Sequence, residues 1–198
     1  MSKIFIYTWN ADSIEDKEEI GSSFAARLEY AKEHRYNLEF TNFISPDFLD
    51  VNGQEILKDF QQKLHGFKGA ISTHGTCLDP VHSKDKKARE TAKQMIFQSL
   101  EIGRELKAEG VVFHGNFFQS IPVPAAGVKT GNSIIDPLIR GEHYKPSWIA
   151  SWIERDASFW SEALEKAPSI VMLENTFELT PEMFRAVLDK VNSSRLKI

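Results

Sequence analysis

The sequence predicts an α/β fold of the TIM type, a (β/α) barrel carried through about five β/α units to the opening of a sixth strand. Three observations predict it. Short apolar strands alternate with amphipathic helices along all 198 residues, the pattern of parallel strands joined by right-handed crossovers. No Gly-x-Gly-x-x-Gly turn follows the first strand and no Walker-type loop occurs, which removes the usual dinucleotide and P-loop reasons for an open sheet. Three strands run out into histidine or glutamate, at the end where parallel α/β folds gather their chemistry.

Lys3 to Thr8 (KIFIYT) reads as the first strand, dense in β-branched and aromatic residues. Asp16 to His34 then sets Ile20, Phe24, Leu28 and Ala31 on one helical face. Asn37 to Ile44 is a second strand, and Gln54 to Leu64 a shorter helix with Ile56, Leu57, Phe60 and Leu64 inward. Phe67 to Thr73 reads as the third strand. The helix after it has Ser83 or Asp85 as its cap and Ala88, Ala92, Met95, Ile96, Leu100, Gly103 and Leu106 as its stripe. Gly110 is expected to end that helix, and Val111 to Phe113, completed by His114, forms the fourth strand.

Residues 115–147 hold Pro122, Pro124, Gly127, Gly131, Pro137, Gly141 and Pro146, which excludes regular helix or central strand. A loop of this length in a compact domain is commonly functional or disordered, and here it is expected to serve as a lid. Trp148 to Lys166 resumes helix, burying Ile149, Trp152, Ile153, Phe159, Trp160, Ala163 and Leu164. Ser169 to Leu173 is the fifth strand. Thr180 caps a last helix to Val191, Pro181 suits its first position, and Met183, Phe184, Val187 and Leu188 face inward. Arg195-Leu-Lys-Ile opens a sixth strand, and residues 1–198 are read as one partial barrel domain.

Hydrophobic residues make up 41% and charged residues 26%, so the chain is of the soluble globular class. Its length can bury a core without disulfides or a structural metal. The single cysteine, Cys77, excludes an internal disulfide and fits a reducing compartment; it has no evident activating partner. The first residues enter a strand directly, without the zones of a signal peptide, and no apolar run approaches the roughly 20 residues that cross a bilayer. A cytoplasmic protein without membrane association is expected. Net charge is −4 with lysines and arginines scattered, whereas duplex-binding proteins carry a basic face; nucleic acid is the disfavoured partner.

The third strand runs into Ser72-Thr-His74-Gly, the fourth into Val112-Phe-His114-Gly-Asn116, and the fifth into Leu173-Glu174-Asn175-Thr. Taken singly, each histidine reads as a hydrogen-bonding residue and Glu174 as a cap or a lysine's partner. Together, two imidazoles and a carboxylate at equivalent strand ends make a donor set for zinc, manganese or iron, with positions open to water or substrate. His34 and His65 sit at helix C-termini, where a cation favours the dipole, and read as structural. His82 and His143 lie in loops with nothing specific to assign them. Trp148, Trp152 and Trp160 are at helical spacing and read as core, while Trp9, just after the first strand, is placed to stack on a ring at the barrel mouth.

These motifs resemble those of the xylose isomerase-like TIM-barrel superfamily, which includes sugar (phosphate) isomerases and epimerases and the endonuclease IV group. Thr73-His74-Gly75 looks like its third-strand motif, Phe113-His114-Gly115 like its fourth, and Leu173-Glu174-Asn175-Thr176 like the fifth-strand metal glutamate. In the endonuclease branch, residues matching His74, His114 and Glu174 bind zinc. In the isomerase branch the residue matching Glu174 holds the metal and the histidine positions more often line the sugar site. Further family ligands come from strands six to eight, which this sequence lacks, so truncation or association through an open strand edge is expected.

The resemblance implies a metal-dependent sugar or sugar-phosphate isomerase/epimerase working through an enediolate, with zinc or manganese on Glu174, His114 and His74. Glu174 and His114 are the expected catalytic residues, and Trp9, His74, Asn116 and Asn175 the expected sugar contacts. The alternatives are an endonuclease IV-like phosphodiesterase on abasic DNA and a non-catalytic binding or assembly domain. A homo-oligomer through the open edge is a further expectation.

Overall fold

A computed structural model describes residues 5–7, 17–41, 53–76, 81–83, 85–114, 146–166, 170–174 and 181–198. In chain order the elements are β1 (Phe5–Tyr7), α1 (Lys17–His34), β2 (Asn37–Phe40), α2 (Gly53–Lys63), β3 (Ile71–His74), α3 (Lys86–Glu105), β4 (Gly110–His114), α4 (Pro146–Lys166), β5 (Val171–Glu174), α5 (Pro181–Val191) and β6 (Leu196–Lys197). The strand order is β1-β2-β3-β4-β5-β6. The β1/β2, β2/β3, β3/β4 and β5/β6 pairings are parallel. No helix among the described residues is long and apolar enough to cross a membrane.

The chain divides into two compact units, Met1–Cys77 with Gln98–Val112, and Leu78–Phe97 with Phe113–Ile198. In the first unit, period-two alternation buries Leu38 and Phe40 of β2 completely. They meet Leu28 and Ala31 of α1, Leu57 and Phe60 of α2, and Ile102 and Leu106; the Phe40 and Phe60 rings are 5.2 Å apart. In the second unit the fully buried Trp152 and Trp160 of α4 anchor the core with Phe113 and Phe184. The Trp160 ring lies 5.5 Å from Phe113 and 4.9 Å from Phe159.

Several boundaries differ from the sequence expectation. Strand β2 ends at Phe40 rather than Ile44, and β5 runs Val171–Glu174 rather than Ser169 to Leu173. Helix α4 begins at Pro146, inside the stretch expected to exclude helix, because proline suits a first helical turn. Two further differences have a visible local cause. The third strand begins at Ile71, not Phe67, because Gly66 takes a left-handed φ of 81° and Phe67 N–H donates back to Leu64 O at 2.9 Å. The apolar run from Phe67 is thus spent on the turn after α2. Helix α3 ends at Glu105, five residues before Gly110, which opens β4 instead. Its terminus is a Schellman motif: Ala108 N–H bonds Gly103 O at 2.8 Å, Lys107 N–H bonds Arg104 O at 3.0 Å, and Lys107 itself is left-handed, with φ of 56°. The α1 terminus repeats the device with Arg35. At the other end of α3, Asp85 is the cap, its Oδ1 accepting from Ala88 N–H at 3.0 Å.

Gly103 is a packing glycine on α3. A Cβ there would stand 2.5 Å from Val111 Cγ2 and 3.1 Å from Thr73 Oγ1, and Val111 is fully buried. Gly103→Ala is therefore expected to destabilise the protein by about 1–3 kcal/mol through overpacking, although alanine is the better helix former by about 1 kcal/mol. Urea unfolding checks this; an unchanged or raised midpoint would contradict the close approach.

Candidate metal centre

Period two decides where the strand-end side chains go. On β4, Val111 and Phe113 are buried while Val112 and His114 are only half-buried. Phe113 packs on Trp160 of α4, so His114 lies on the face turned away from that helix. On β5, Val171 and Leu173 are buried and Glu174, two residues past Met172, takes the opposite face. The outcome is a pair: His114 Nε2 stands 3.7 Å from Glu174 Oε2.

That separation is too long for a hydrogen bond. Two donors on one tetrahedral zinc, each at about 2.1 Å, lie about 3.4 Å apart. An imidazole and a carboxylate at this spacing could both reach one divalent ion. The side chains are 21% and 47% exposed, which leaves the pair open to a ligand.

His74 belongs to the other compact unit, where it closes β3 in register with Val112 of β4. Gly75 N–H donates to Val112 O at 2.8 Å and fixes that strand end. His74 is buried, with Nδ1 2.9 Å from Gly75 O. A carbonyl oxygen only accepts, so Nδ1–H is the donor in this contact. This is how ligating imidazoles are commonly held.

Trp9, Asn116 and Asn175, expected to contact substrate, lie outside the described residues, as do Cys77, His143 and residues 115–145 of the expected lid. His34 closes α1 with its ring 4.2 Å from Tyr30 and 5.8 Å from Tyr36, in keeping with a structural role. Trp152 and Trp160 are core, as their spacing predicts.

Sequence reasoning missed Asp156. This residue of α4 is fully buried in the second unit. Its Oδ1 pairs with His82 Nε2 at 2.9 Å, and its Oδ2 accepts from Trp160 Nε1–H at 3.0 Å. Burial pushes its carboxyl up from the ordinary range, opposed by the bonds from His82 and Trp160 and by the Arg155 charge. His82, unassigned in the sequence, is thereby a buried partner with a side chain 4% exposed. A signal was available: Asp156 sits one helical turn from both Trp152 and Trp160, on the apolar face.

No protein-family model matches the sequence, and no curated protein matches it. Solved structures do. A Thermus thermophilus protein soaked with zinc chloride is 18% identical, with a TM-score of 0.63 over 98% of this chain and 63% of that one. D-Psicose 3-epimerase of Clostridium cellulolyticum H10, solved with D-tagatose, is 17% identical, with a TM-score of 0.63 over 99% of this chain and 62% of the epimerase. A xylose isomerase-like TIM barrel protein from Mycobacterium smegmatis, in complex with magnesium, is 18% identical, with a TM-score of 0.53 over 89% and 55%. At such identities the likeness is one of fold. The chain has part of the α/β barrel fold that these structures share, and it spans under two thirds of their length.

Proposed function

We propose that the chain is the metal-holding part of a sugar or sugar-phosphate isomerase/epimerase, with zinc or manganese on His114, Glu174 and His74. The observation that carries the reading is the His114–Glu174 pair, 3.7 Å apart at the ends of β4 and β5. Each of the three residues offers one ligand atom, an imidazole nitrogen or a carboxylate oxygen. His74 is included because it is in register with Val112, and Val112 precedes His114 by one full strand period. Parallel neighbours in register share a face, as do residues two apart along a strand. The zinc-soaked and magnesium-bound neighbours support a divalent metal, and the D-tagatose complex supports a ketose.

A bound divalent ion polarises a carbonyl and eases loss of the proton from the adjacent carbon. The protein's own part is to hold the donors and orient the sugar. His114 and Glu174 are assigned to the reacting end of the ketose and are the catalytic residues of this proposal. His74 is assigned as a donor through Nε2, because its Nδ1 faces the Gly75 carbonyl. Trp9, Asn116 and Asn175, which follow strand residues in the sequence, are assigned to the sugar, the indole to a ring face and the amides to hydroxyls. Proton transfer through an enediolate is assigned to the completed barrel, because the chain spans 62% of the epimerase.

Manganese added to the purified chain is expected to give a bound-ion electron paramagnetic resonance spectrum, and a ketohexose such as D-tagatose to alter it. Binding without response to any ketose or sugar phosphate would overturn the sugar assignment. No bound manganese or zinc at saturation would overturn the metal.

A further inference from the structure

The second compact unit contains a cleft of about 430 Å³ between the start of α3 and the middle of α4. His82 forms part of its wall, held from behind by the fully buried Asp156. From α3, Arg89 enters the lining with Nη1 donating to the Ser83 carbonyl at 2.7 Å, beside His82 in the chain. Arg155 lines it from α4, with Nη1 donating to Ser151 Oγ at 2.6 Å. Ser158 brings a hydroxyl to the same cleft.

The carboxylates that line the cleft are each claimed by lysine. Glu162 accepts from Lys93 and from Lys166, both at 2.8 Å, and these bonds hold it below the usual carboxylate range. Glu154 pairs with Lys190 at 2.7 Å. The two guanidinium groups differ. Their hydrogen bonds go to neutral oxygens, while Arg89 also makes a longer ion pair to Glu90, at 3.8 Å from Nε, and the Arg155 charge acts on the buried Asp156. Guanidinium donors keep their full charge at any working pH and match tetrahedral oxyanions in a bidentate fork. Bound to neutral acceptors, they retain most of that capacity.

We infer that this cleft binds a phosphate-class oxyanion between Arg89 and Arg155, with the Ser158 hydroxyl as a further donor. The site is separate from the strand-end residues and does not depend on the metal reading. The buried His82–Asp156 pair fixes the wall, so little ordering is needed when the anion arrives. The anion is either free inorganic phosphate, with four terminal oxygens, or the phosphate group of a sugar phosphate, with three, and either offers enough acceptors for both guanidinium groups.

The test is isothermal titration of the full chain with inorganic phosphate, beside Arg155→Gln, Arg89→Gln and Glu154→Gln. Each arginine variant is expected to weaken binding about tenfold, the loss of one charge-assisted hydrogen bond. Glu154→Gln removes a lining negative charge and is expected to tighten binding, a gain that partial unfolding cannot imitate. Tighter binding of a pentose phosphate than of inorganic phosphate would assign the group to a sugar, and equal affinities would assign the free anion. No measurable binding, or binding indifferent to both arginine changes, would overturn the inference.

Discussion

Glu174→Gln is expected to weaken zinc binding by roughly a hundredfold, about 2.7 kcal/mol. The amide keeps the size of the carboxylate but surrenders its charge, and a neutral amide is a poor ligand for zinc. His114→Ala removes the other half of the 3.7 Å pair and is expected to lose at least as much. The double variant should bind little more weakly than the worse single variant, because donors to one ion act as a unit and their losses do not add. Competition against a chromophoric chelator measures all three. Glu174 is 47% exposed at a strand end, so its substitution leaves the core intact and the fold can be checked by circular dichroism. His74→Ala extends the series to the third proposed donor. Zinc affinity unmoved by Glu174→Gln and His114→Ala would show that the pair is an ordinary histidine–carboxylate contact.

The reason this pair could be read from sequence is geometrical. A strand that ends in histidine or glutamate, with buried residues at odd offsets before it, can direct that side chain to only one of two faces. Val111 and Phe113 on β4, and Val171 and Leu173 on β5, are the residues that make the choice. Helices were legible for the same reason: Leu28 and Ala31, Leu57 and Phe60, and Met183, Phe184 and Val187 occupy the buried faces their spacing implies.

Chain reversals were less legible. Gly110 carries the sequence signal for a helix end, yet Lys107 takes the left-handed position and Gly110 begins a strand. The energetic difference between glycine and lysine at such a position is about 1 kcal/mol, small enough for the packing of Leu106 to decide it. The His82–Asp156 pair was the larger omission. An aspartate on an apolar helical stripe marks a buried carboxylate, but its partner lies 74 residues away in sequence. Only tertiary structure brings the two together.

That buried pair carries the second large prediction. His82→Ala leaves the Asp156 carboxylate in the core with Trp160 as its described side-chain donor. Stripping one partner from a buried pair costs about 3–5 kcal/mol, which lowers the melting temperature of a chain this size by roughly 10 °C. Asp156→Asn should cost much less. The amide has no charge to desolvate, its oxygen still accepts from Trp160, and His82 can adopt the tautomer that accepts from the amide nitrogen.

The two variants also separate by pH. Burial raises the Asp156 carboxyl, so below the ordinary aspartate value of about 3.9 both folded and unfolded states are protonated and burial costs nothing. As pH rises from there, the unfolded state loses its proton first, and stability falls until the raised folded value is passed. Above it the cost is complete. His82→Ala removes a bond that opposes the rise, so its window extends further upward. Asp156→Asn has no such carboxyl, and the wild-type minus variant difference in unfolding free energy should shift in favour of the variant across the same window. Parallel stability curves for wild type and Asp156→Asn from pH 4 to neutrality would mean that Asp156 keeps the same proton affinity folded and unfolded, and that the bonds from His82 and Trp160 fully offset its burial.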